Sequence, residues 1–420
     1  MQSSPLLTKV RVDTAAPALK PKVTPLPPDE GLPELPHLFE NKWIWQAYGT
    51  QFDPPEETPD NLRLTQLLYR PGTRAVASYV GERRWDRWVV EDQFAIELVS
   101  GKPAHLFRYP DDPYLPGLSH AASAVEAHQL LPKYVNLHPE RLKVEVVRYR
   151  PTRRAVLRHR AGWRRSGVGE VTLFVRVMSP DRVVPLLTAG ELAEHSGFIL
   201  PRLLGSWPEG GVVWLAAIPG ETVRQLIREG TPPEPELILG GLAPLWSAPA
   251  NGGRPLEVKP AFNSSERVLS SALPEGAGRE LLSRALEELG PFAEAWRPSA
   301  LAHNDFYDDQ LILTPTGDIA LVDFEEVGPG DPMMDVGMLL AHLRWMASFG
   351  ISTQACDAYR QRFRAAALVR FGWASQKLAQ REAFALFRLC TNPIRKLRRH
   401  WPQAVETGLT LVMETLDGAP

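Results

Sequence analysis

His303-Asn304-Asp305-Phe306-Tyr307-Asp308-Asp309-Gln310 is followed, after a short intervening stretch, by Val322-Asp323-Phe324-Glu325. Between the two, residues 311–313 are apolar, Thr314-Pro315-Thr316-Gly317-Asp318 is dense in turn formers, and residues 319–322 are apolar again. That pattern predicts a tight β-hairpin. In such a hairpin the start of the first strand lies beside the end of the second. Gln310 and Asp323 therefore arrive together at one end of the sheet, with Asp305 a loop away.

The chain has 420 residues, 44% hydrophobic and 23% charged, values that fit a globular protein with two or three substructures. Lys+Arg 47 against Asp+Glu 49 lacks the basic excess of a nucleic-acid binder, so no nucleic-acid partner is expected. Cys356 and Cys390 sit in apolar, helix-like stretches and read as small core residues, with no metal spacing and no disulfide framework. No apolar run is long enough to span a bilayer, and the N-terminus lacks the apolar centre of a signal peptide. The expectation is a cytoplasmic protein without a membrane partner.

Residues 1–36 are Pro-rich and poor in aromatics, and read as a disordered tail. Order is expected from Leu38-Phe39 onward, anchored by Trp43, Trp45 and Tyr48. A β-rich section runs from Leu62 to about Pro110, and residues 119–131 read as a helix. A second β-rich section begins at Leu142 and echoes the first. Tyr69-Arg70-Pro71-Gly72-Thr73-Arg74-Ala75-Val76 matches Tyr149-Arg150-Pro151-Thr152-Arg153-Arg154-Ala155-Val156, which points to a duplicated hairpin unit whose first copy forms a cap. Further strands are read at 171–178, 199–207 and 212–217, with a helix at 183–195 and another at 221–229. Beyond the Pro-rich turn at 231–235 the chain is helical except for the hairpin, with helices near 237–246, 264–273, 278–296, 334–347, 353–370, 374–389 and 403–415.

The pair H-x-D-x-x-x-x-Q and D-F-E is similar to the protein-kinase pair H-R-D-x-x-x-x-N and D-F-G. Together with Gly328-Pro329-Gly330-Asp331-Pro332-Met333-Met334-Asp335, it makes the chain from about Leu142 to its end resemble the aminoglycoside phosphotransferase / choline kinase-like superfamily of small-molecule kinases. Gln310 where many relatives have Asn, and Trp401-Pro402 after an Arg-rich helix, resemble bacterial maltokinase-like members, which also carry an N-terminal cap. The resemblance implies an α+β, two-lobed protein-kinase-like fold. Its sections are a tail at 1–36, a cap at 37–138, a small lobe at 139–218 and a helical large lobe at 219–420.

The resemblance also implies roles. Asp305 is the expected catalytic base, Gln310 and Asp323 the Mg²⁺ ligands, and His303 a brace for the loop. The small-lobe strand that presents a Lys in relatives offers Arg176, which still carries charge and can fork across two phosphate oxygens. Its expected partner is a helical Glu, Glu191 or Glu194, with Glu191 preferred. The phosphate-covering turn lacks glycine, so Arg153 or Arg154 would act there through side chains. Ala216 to Ile218 would offer backbone hydrogen bonds to adenine.

Asp331-Pro332 reads as helix punctuation, with Asp at the N-cap, and Asp335 as a first-turn acid, both bracing the catalytic loop. Arg381, Arg388, Arg395, Lys396, Arg398 and Arg399 read as a solvated basic face, and Trp345, Trp373 and Trp401 as core. Asp308, Asp309, Glu325 and Glu326 gather on the acceptor side. The expected activity is ATP- and Mg²⁺-dependent transfer of a phosphoryl group to a hydroxyl of a small molecule, a sugar or amino sugar. The alternatives are a nucleotide-sensing pseudokinase, motivated by Arg176 and Gln310, and an aminoglycoside-resistance kinase, motivated by the acidic acceptor side.

Overall fold

The computed structural model describes residues 25–52, 62–85, 88–163, 169–396 and 400–418. They divide into two compact units. One is the chain up to Pro180 with Leu204–Leu215 and Ile394–Trp401; the other is Asp181–Leu203, Ala216–Pro393 and Pro402–Pro420.

In the first unit a 3-10 turn (Leu35–Phe39) and helix α1 (Asn41–Gln51) lead into an antiparallel sheet in the order β1-β2-β3-β4. Its strands are β1 (Arg63–Arg70), β2 (Arg74–Trp85), β3 (Trp88–Val99) and β4 (His105–Arg108). Helices α2 (Leu118–Ala122) and α3 (Ala124–Tyr134) follow. The single helix expected at 119–131 is broken at Ser123, whose hydroxyl accepts from Glu126 N at 3.3 Å and caps α3. A second sheet then runs in the order β5-β6-β7-β9-β8, from β5 (Arg141–Arg150), β6 (Arg154–Gly162), β7 (Val171–Met178), β8 (Leu203–Trp207) and β9 (Val212–Ala216). Leu131, Leu157, Val175 and Trp214 sit at the centre of the core between α2, α3 and this sheet.

The two hairpins close through the same register, Arg70↔Arg74 with Tyr69↔Ala75 and Arg150↔Arg154 with Tyr149↔Ala155, as a duplicated unit requires. The cap and small-lobe sheets, read from the sequence as successive sections, fall into one unit. Helix α4 (Val183–Ala193), read with the small lobe, falls into the other.

The tail expectation needs correction. Residues 1–24 lie outside the described residues, but 25–36 pack. Leu26, Leu32 and Leu35 are buried, and the Asp29 carboxylate accepts from Tyr69 Oη at 2.7 Å, Gly72 N at 2.8 Å and Gly31 N at 2.9 Å. Prolines spaced between leucines disguise a run of turns, in which Leu32 N donates to Asp29 O at 3.0 Å and Leu35 N to Leu32 O at 2.9 Å. Helix α1 was also missed, although Ile44 and Tyr48 lie four apart on its buried face.

The second unit holds α4, β10 (Glu221–Thr222), α5 (Val223–Glu229), α6 (Pro235–Ser247), α7 (Val258–Ala272), α8 (Ala277–Ala295), β11 (Ala300–Ala302), β12 (Leu311–Leu313), β13 (Ile319–Leu321) and β14 (Gly328–Gly330). Helices α9 (Pro332–Ser348), α10 (Thr353–Phe371), α11 (Ser375–Leu389), α12 (Asn392–Arg395) and α13 (Trp401–Asp417) complete the chain. The expected helices are all present. Only α7 begins well before its expected start, because Pro260 stands in its first turn, where no intrahelical N–H is required. Helix α9 is apolar nearly all round and buried. It packs so closely on α11 that a Cβ at Gly337 would lie 2.9 Å from the Arg381 backbone. Cys356 and Cys390 are buried and free, as read. Among the described residues no helix is long and apolar enough to cross a membrane.

Candidate active site

The hairpin forms as its sequence dictates. β12 and β13 pair through Leu311↔Leu321 and Leu313↔Ile319, and the ladder continues with Val322 N donating to Gln310 O at 3.0 Å. Gln310 and Asp323 thus lie at the same end of the sheet. Immediately before it, β11 pairs antiparallel with β14, Ala302↔Gly328, so the chain enters the 303–307 loop beside the segment that leads into α9.

That loop is held by one buried carboxylate. Asp335, in the first turn of α9, accepts from His303 N at 2.8 Å, Asn304 N at 2.8 Å and Trp246 Nε1 at 2.9 Å. Burial pushes its carboxyl up to about 6 even though all three donors favour the charged form. Asp331 caps α9 by accepting from Met333 N at 2.9 Å and also takes Arg381 Nε at 2.9 Å. Arg381 is therefore an internal partner of the loop's support, not part of a solvated face. Of the remaining basic run, Arg398 and Arg399 lie outside the described residues. Trp345 and Trp401 are core, while Trp373 is half-buried and stacks on Phe371 at 4.8 Å.

Asn304 was missed by sequence reasoning. It adopts a left-handed φ of 68°, a conformation Asn tolerates better than most residues. Its side-chain amide donates to Glu326 O at 3.0 Å and Gly328 O at 3.2 Å. Gly330 must be glycine beside it, since a Cβ there would meet Asn304 Oδ1 at 2.0 Å. His303 then ties the two acidic positions together. Its Nε2 donates to Asp323 O at 2.5 Å, and its Nδ1 accepts from Asp305 N at 3.4 Å. Burial lowers this imidazole to about 4, so it is neutral and keeps one tautomer. One ring bridges the backbones of Asp305 and Asp323, the bracing role the resemblance implies.

Asp305 and Asp323 are half-exposed while the residues that hold them are buried. Gln310 is buried, and a 3-10 turn (Asp308–Gln310) places it. Its Oε1 accepts from Tyr307 N at a long 3.4 Å, and its Nε2 has no hydrogen-bond partner. The orphaned atom is an N–H donor, which cannot ligate a cation; only Oε1, with the Asp323 carboxylate at the same end of the sheet, could offer oxygen to a hard cation. Among the described residues no group of three or more His, Cys, Asp or Glu could hold a metal by itself.

The acidic residues Asp308, Asp309, Glu325 and Glu326 all have cationic neighbours. Asp308 is fully buried and receives Arg224 in a fork, Nε at 2.7 Å and Nη2 at 3.2 Å; Arg224 Nη1 also lies 3.1 Å from Asp309. Burial would lower the Arg224 guanidinium, but the bonds and charge of Asp308 outweigh it and raise it. Arg182 Nη2 stands 3.7 Å from Glu325 and 3.6 Å from Glu326. Arg224, on α5, carried no sequence signal, because its partner lies far along the chain.

The nucleotide-side candidates divide between the units. Arg153, Arg154 and Arg176 belong to the first; Glu191, Ala216 and Ile218 belong to the second. Arg176 pairs with Val156 and Met178 with Arg154, so Arg154 and Arg176 share a face of the sheet opposite buried Val175 and Val177. The turn amides are spoken for: Thr152 N donates to Asp112 Oδ2 at 2.8 Å and Arg153 N to Arg150 O at 3.0 Å. The Ala216 N–H donates to Arg202 O at 2.9 Å, so the backbone group it could offer a ligand is its carbonyl. Glu191 and Glu194 are both exposed.

Residues 153–379, more than half the chain, match the model of the phosphotransferase enzyme family. The fold is similar to a choline/ethanolamine kinase family protein from Mesorhizobium loti at 16% identity, covering 69% of this chain and 94% of that one, with a TM-score of 0.50. It is also similar to a thermostable mutant of aminoglycoside phosphotransferase APH(4)-Ia in ternary complex with AMP-PNP and hygromycin B. There the identity is 14%, the cover 70% of this chain and 99% of that one, and the TM-score 0.50. A search of curated protein sequences gives no match. The α+β fold is of the two-lobed protein-kinase type.

Proposed function

This chain belongs to the phosphotransferase enzyme family and is a small-molecule kinase, and from that premise we propose that it transfers the terminal phosphoryl group of ATP to a hydroxyl of a sugar or amino sugar. Asp305 orients the acceptor hydroxyl and takes its proton. Gln310 and Asp323 would hold Mg²⁺, which neutralises phosphate charge when bound. Arg153, Arg154 and Arg176 steady the phosphates, with Glu191 as the proposed partner of Arg176. The Ala216 carbonyl and the Ile218 amide meet adenine. Positioning and charge stabilisation supply nearly all the rate in such a site.

The observation that carries this reading is the His303 bridge. A neutral, buried imidazole couples the backbones of two half-exposed carboxylates, which keeps their separation constant without consuming either side chain. The countering of Asp308 and Asp309 by Arg224, and of Glu325 and Glu326 by Arg182, removes the reason for preferring a polycationic acceptor. It favours a neutral or weakly charged polyol.

The test begins with ADP release by purified protein across sugars, amino sugars and aminoglycosides. With an acceptor in hand, Asp323→Asn should abolish Mg²⁺-dependent ATP binding. Asp305→Asn should keep nucleotide affinity and lose transfer by more than about a hundredfold. Equal loss of nucleotide affinity in both folded variants contradicts the assigned roles. A parent that binds Mg·ATP but transfers to no hydroxyl compound points to a sensor instead.

A further inference from the structure

The three donors that meet the Asp335 carboxylate are not equivalent. His303 N and Asn304 N, both at 2.8 Å, belong to the catalytic loop and move with it. Trp246 Nε1, at 2.9 Å, comes from α6 and is the one donor of the three outside the loop. The torsion that turns a carboxylate about its Cβ–Cγ bond is broad and roughly two-fold. Two loop amides, one on each oxygen, leave the carboxylate free to turn together with the loop. The indole N–H fixes that torsion from a separate element. By sitting on Oδ2 beside His303 N, it also decides which oxygen is left to Asn304.

The indole is itself held. Helix α10 ends at Gly372, whose left-handed φ of 64° turns the chain so that Phe371 and Trp373 both reach Trp246. Phe371 meets the Trp246 ring edge-on at 5.3 Å and Trp373 lies tilted to it at 5.8 Å, while these two stack on each other at 4.8 Å. Indole has a single donor and no acceptor. From Asp335 the order passes to the reacting groups through His303, whose Nδ1 accepts from Asp305 N at 3.4 Å and whose Nε2 donates to Asp323 O at 2.5 Å.

Burial opposes the charged form of Asp335, and the three donors favour it. The charged and titratable groups about it are Asp331 on its own helix, Arg381 of α11 seated on Asp331 at 2.9 Å, and the neutral His303 ring. Protonation at Oδ1, the oxygen with one donor, sets an O–H against Asn304 N, so the loop loses an anchor as the pH falls. A donor on Oδ2 favours the carboxylate and moves that loss to lower pH.

We propose that Trp246 is a positioning residue for phosphoryl transfer: its indole N–H, locked by the Phe371–Trp373 turn, holds the Asp335 carboxylate in the orientation that keeps both loop amides bonded and Asp305 in place. The catalytic part of this proposal rests on the reading of Asp305 as base given above.

The experiment is hydrogen exchange of residues 301–307 in the full chain, followed by mass spectrometry from pH 5 to pH 8 with the intrinsic pH dependence of exchange divided out, alongside thermal unfolding. Trp246→Phe keeps an aromatic ring and deletes the N–H. Trp373→Leu removes packing and keeps the N–H, with Phe371 still against the indole. Trp246→Phe should speed exchange of the His303 and Asn304 amides on the order of tenfold at pH 8, and raise the midpoint below which the loop loosens by roughly one pH unit. Trp373→Leu should lower the melting temperature comparably yet leave loop exchange and its midpoint as in the parent. Equal loop exchange in the two variants, or an unmoved midpoint in Trp246→Phe, makes Trp246 a packing residue and overturns the proposal. If Trp246→Phe does not fold, the parent decides. Its Trp246 indole ¹H–¹⁵N resonance, assigned through contacts with Phe371 and Trp373, should shift with a midpoint at about 6; a resonance flat from pH 5 to pH 8 overturns the tether. With the acceptor found by the screen above, the acid limb of kcat for ADP formation should move up in step with the loop. A loosened loop with kcat unchanged at every pH overturns Asp305 as base, whereas an unchanged loop overturns the tether and leaves Asp305 standing.

Discussion

Replacing Asp335 by Asn should destabilise the protein more at pH 5 than at pH 8. The Asp335 carboxylate takes two donors on Oδ2, His303 N and Trp246 Nε1, and one on Oδ1, Asn304 N. The best-placed amide keeps its oxygen on the two-donor side and turns its NH₂ toward Asn304 N. One buried N–H then loses its acceptor, which costs about 1–3 kcal/mol. The carboxylate has a penalty the amide lacks. Burial raises its folded-state value from 3.8 to about 6, so the folded state holds the proton more tightly than the unfolded chain. A raised value means stability is greatest below the unfolded pKa and is lost as pH rises through the folded one. At pH 5 the wild-type protein has gained about 1.4 kcal/mol relative to pH 8 from this group, a factor of about ten. The Asn variant gains none of it. Groups that titrate in both proteins cancel in the difference, so urea unfolding of the two proteins at both pH values, followed by tryptophan fluorescence, isolates the term. The destabilisation should rise from about 1–3 kcal/mol at pH 8 to about 2.5–4.5 kcal/mol at pH 5. A destabilisation that is the same at both pH values, or smaller at pH 5, would refute the argument that burial outweighs the three donors.

Arg176→Ala should reduce ADP formation far more than Arg176→Lys, because a charge at that strand position matters more than its shape; an alanine variant as active as the parent would make Arg176 a bystander. Arg224→Ala strands the fully buried Asp308 without its forked partner and should cost about 3–5 kcal/mol of stability, with Asp308→Asn in the same background recovering part of it. Failure of that second change to recover stability would mean the charge is not what hurts. A truncation beginning at His37 deletes buried Leu26, Leu32 and Leu35 together with the Asp29 clamp, and should lower the melting temperature by more than about 5 °C. An unchanged melting temperature would show that this segment contributes nothing to the folded body.

Local patterns were enough for much of this protein. The β12–β13 hairpin, the end-to-end placement of Gln310 and Asp323, the capping role of Asp331 and the long helices of the second unit follow from turn chemistry and periodicity, which act over a few residues and leave direct marks in sequence. The echo of Tyr69–Val76 in Tyr149–Val156 was visible for the same reason. What sequence could not supply were partners drawn from distant positions. Arg224 forks Asp308 across 84 residues, and Trp246 reaches Asp335 across 89. Asp29 and Asp112 clamp turns about 40 residues away. None of these has a local signature, because one charged residue in a helix or a Pro-rich segment looks like any other until folding buries it. Sequence therefore determined the chemistry available and the short-range geometry that presents it. Tertiary structure alone decided which charges are neutralised internally, since that depends on burial, and burial is set by the packing of the whole unit.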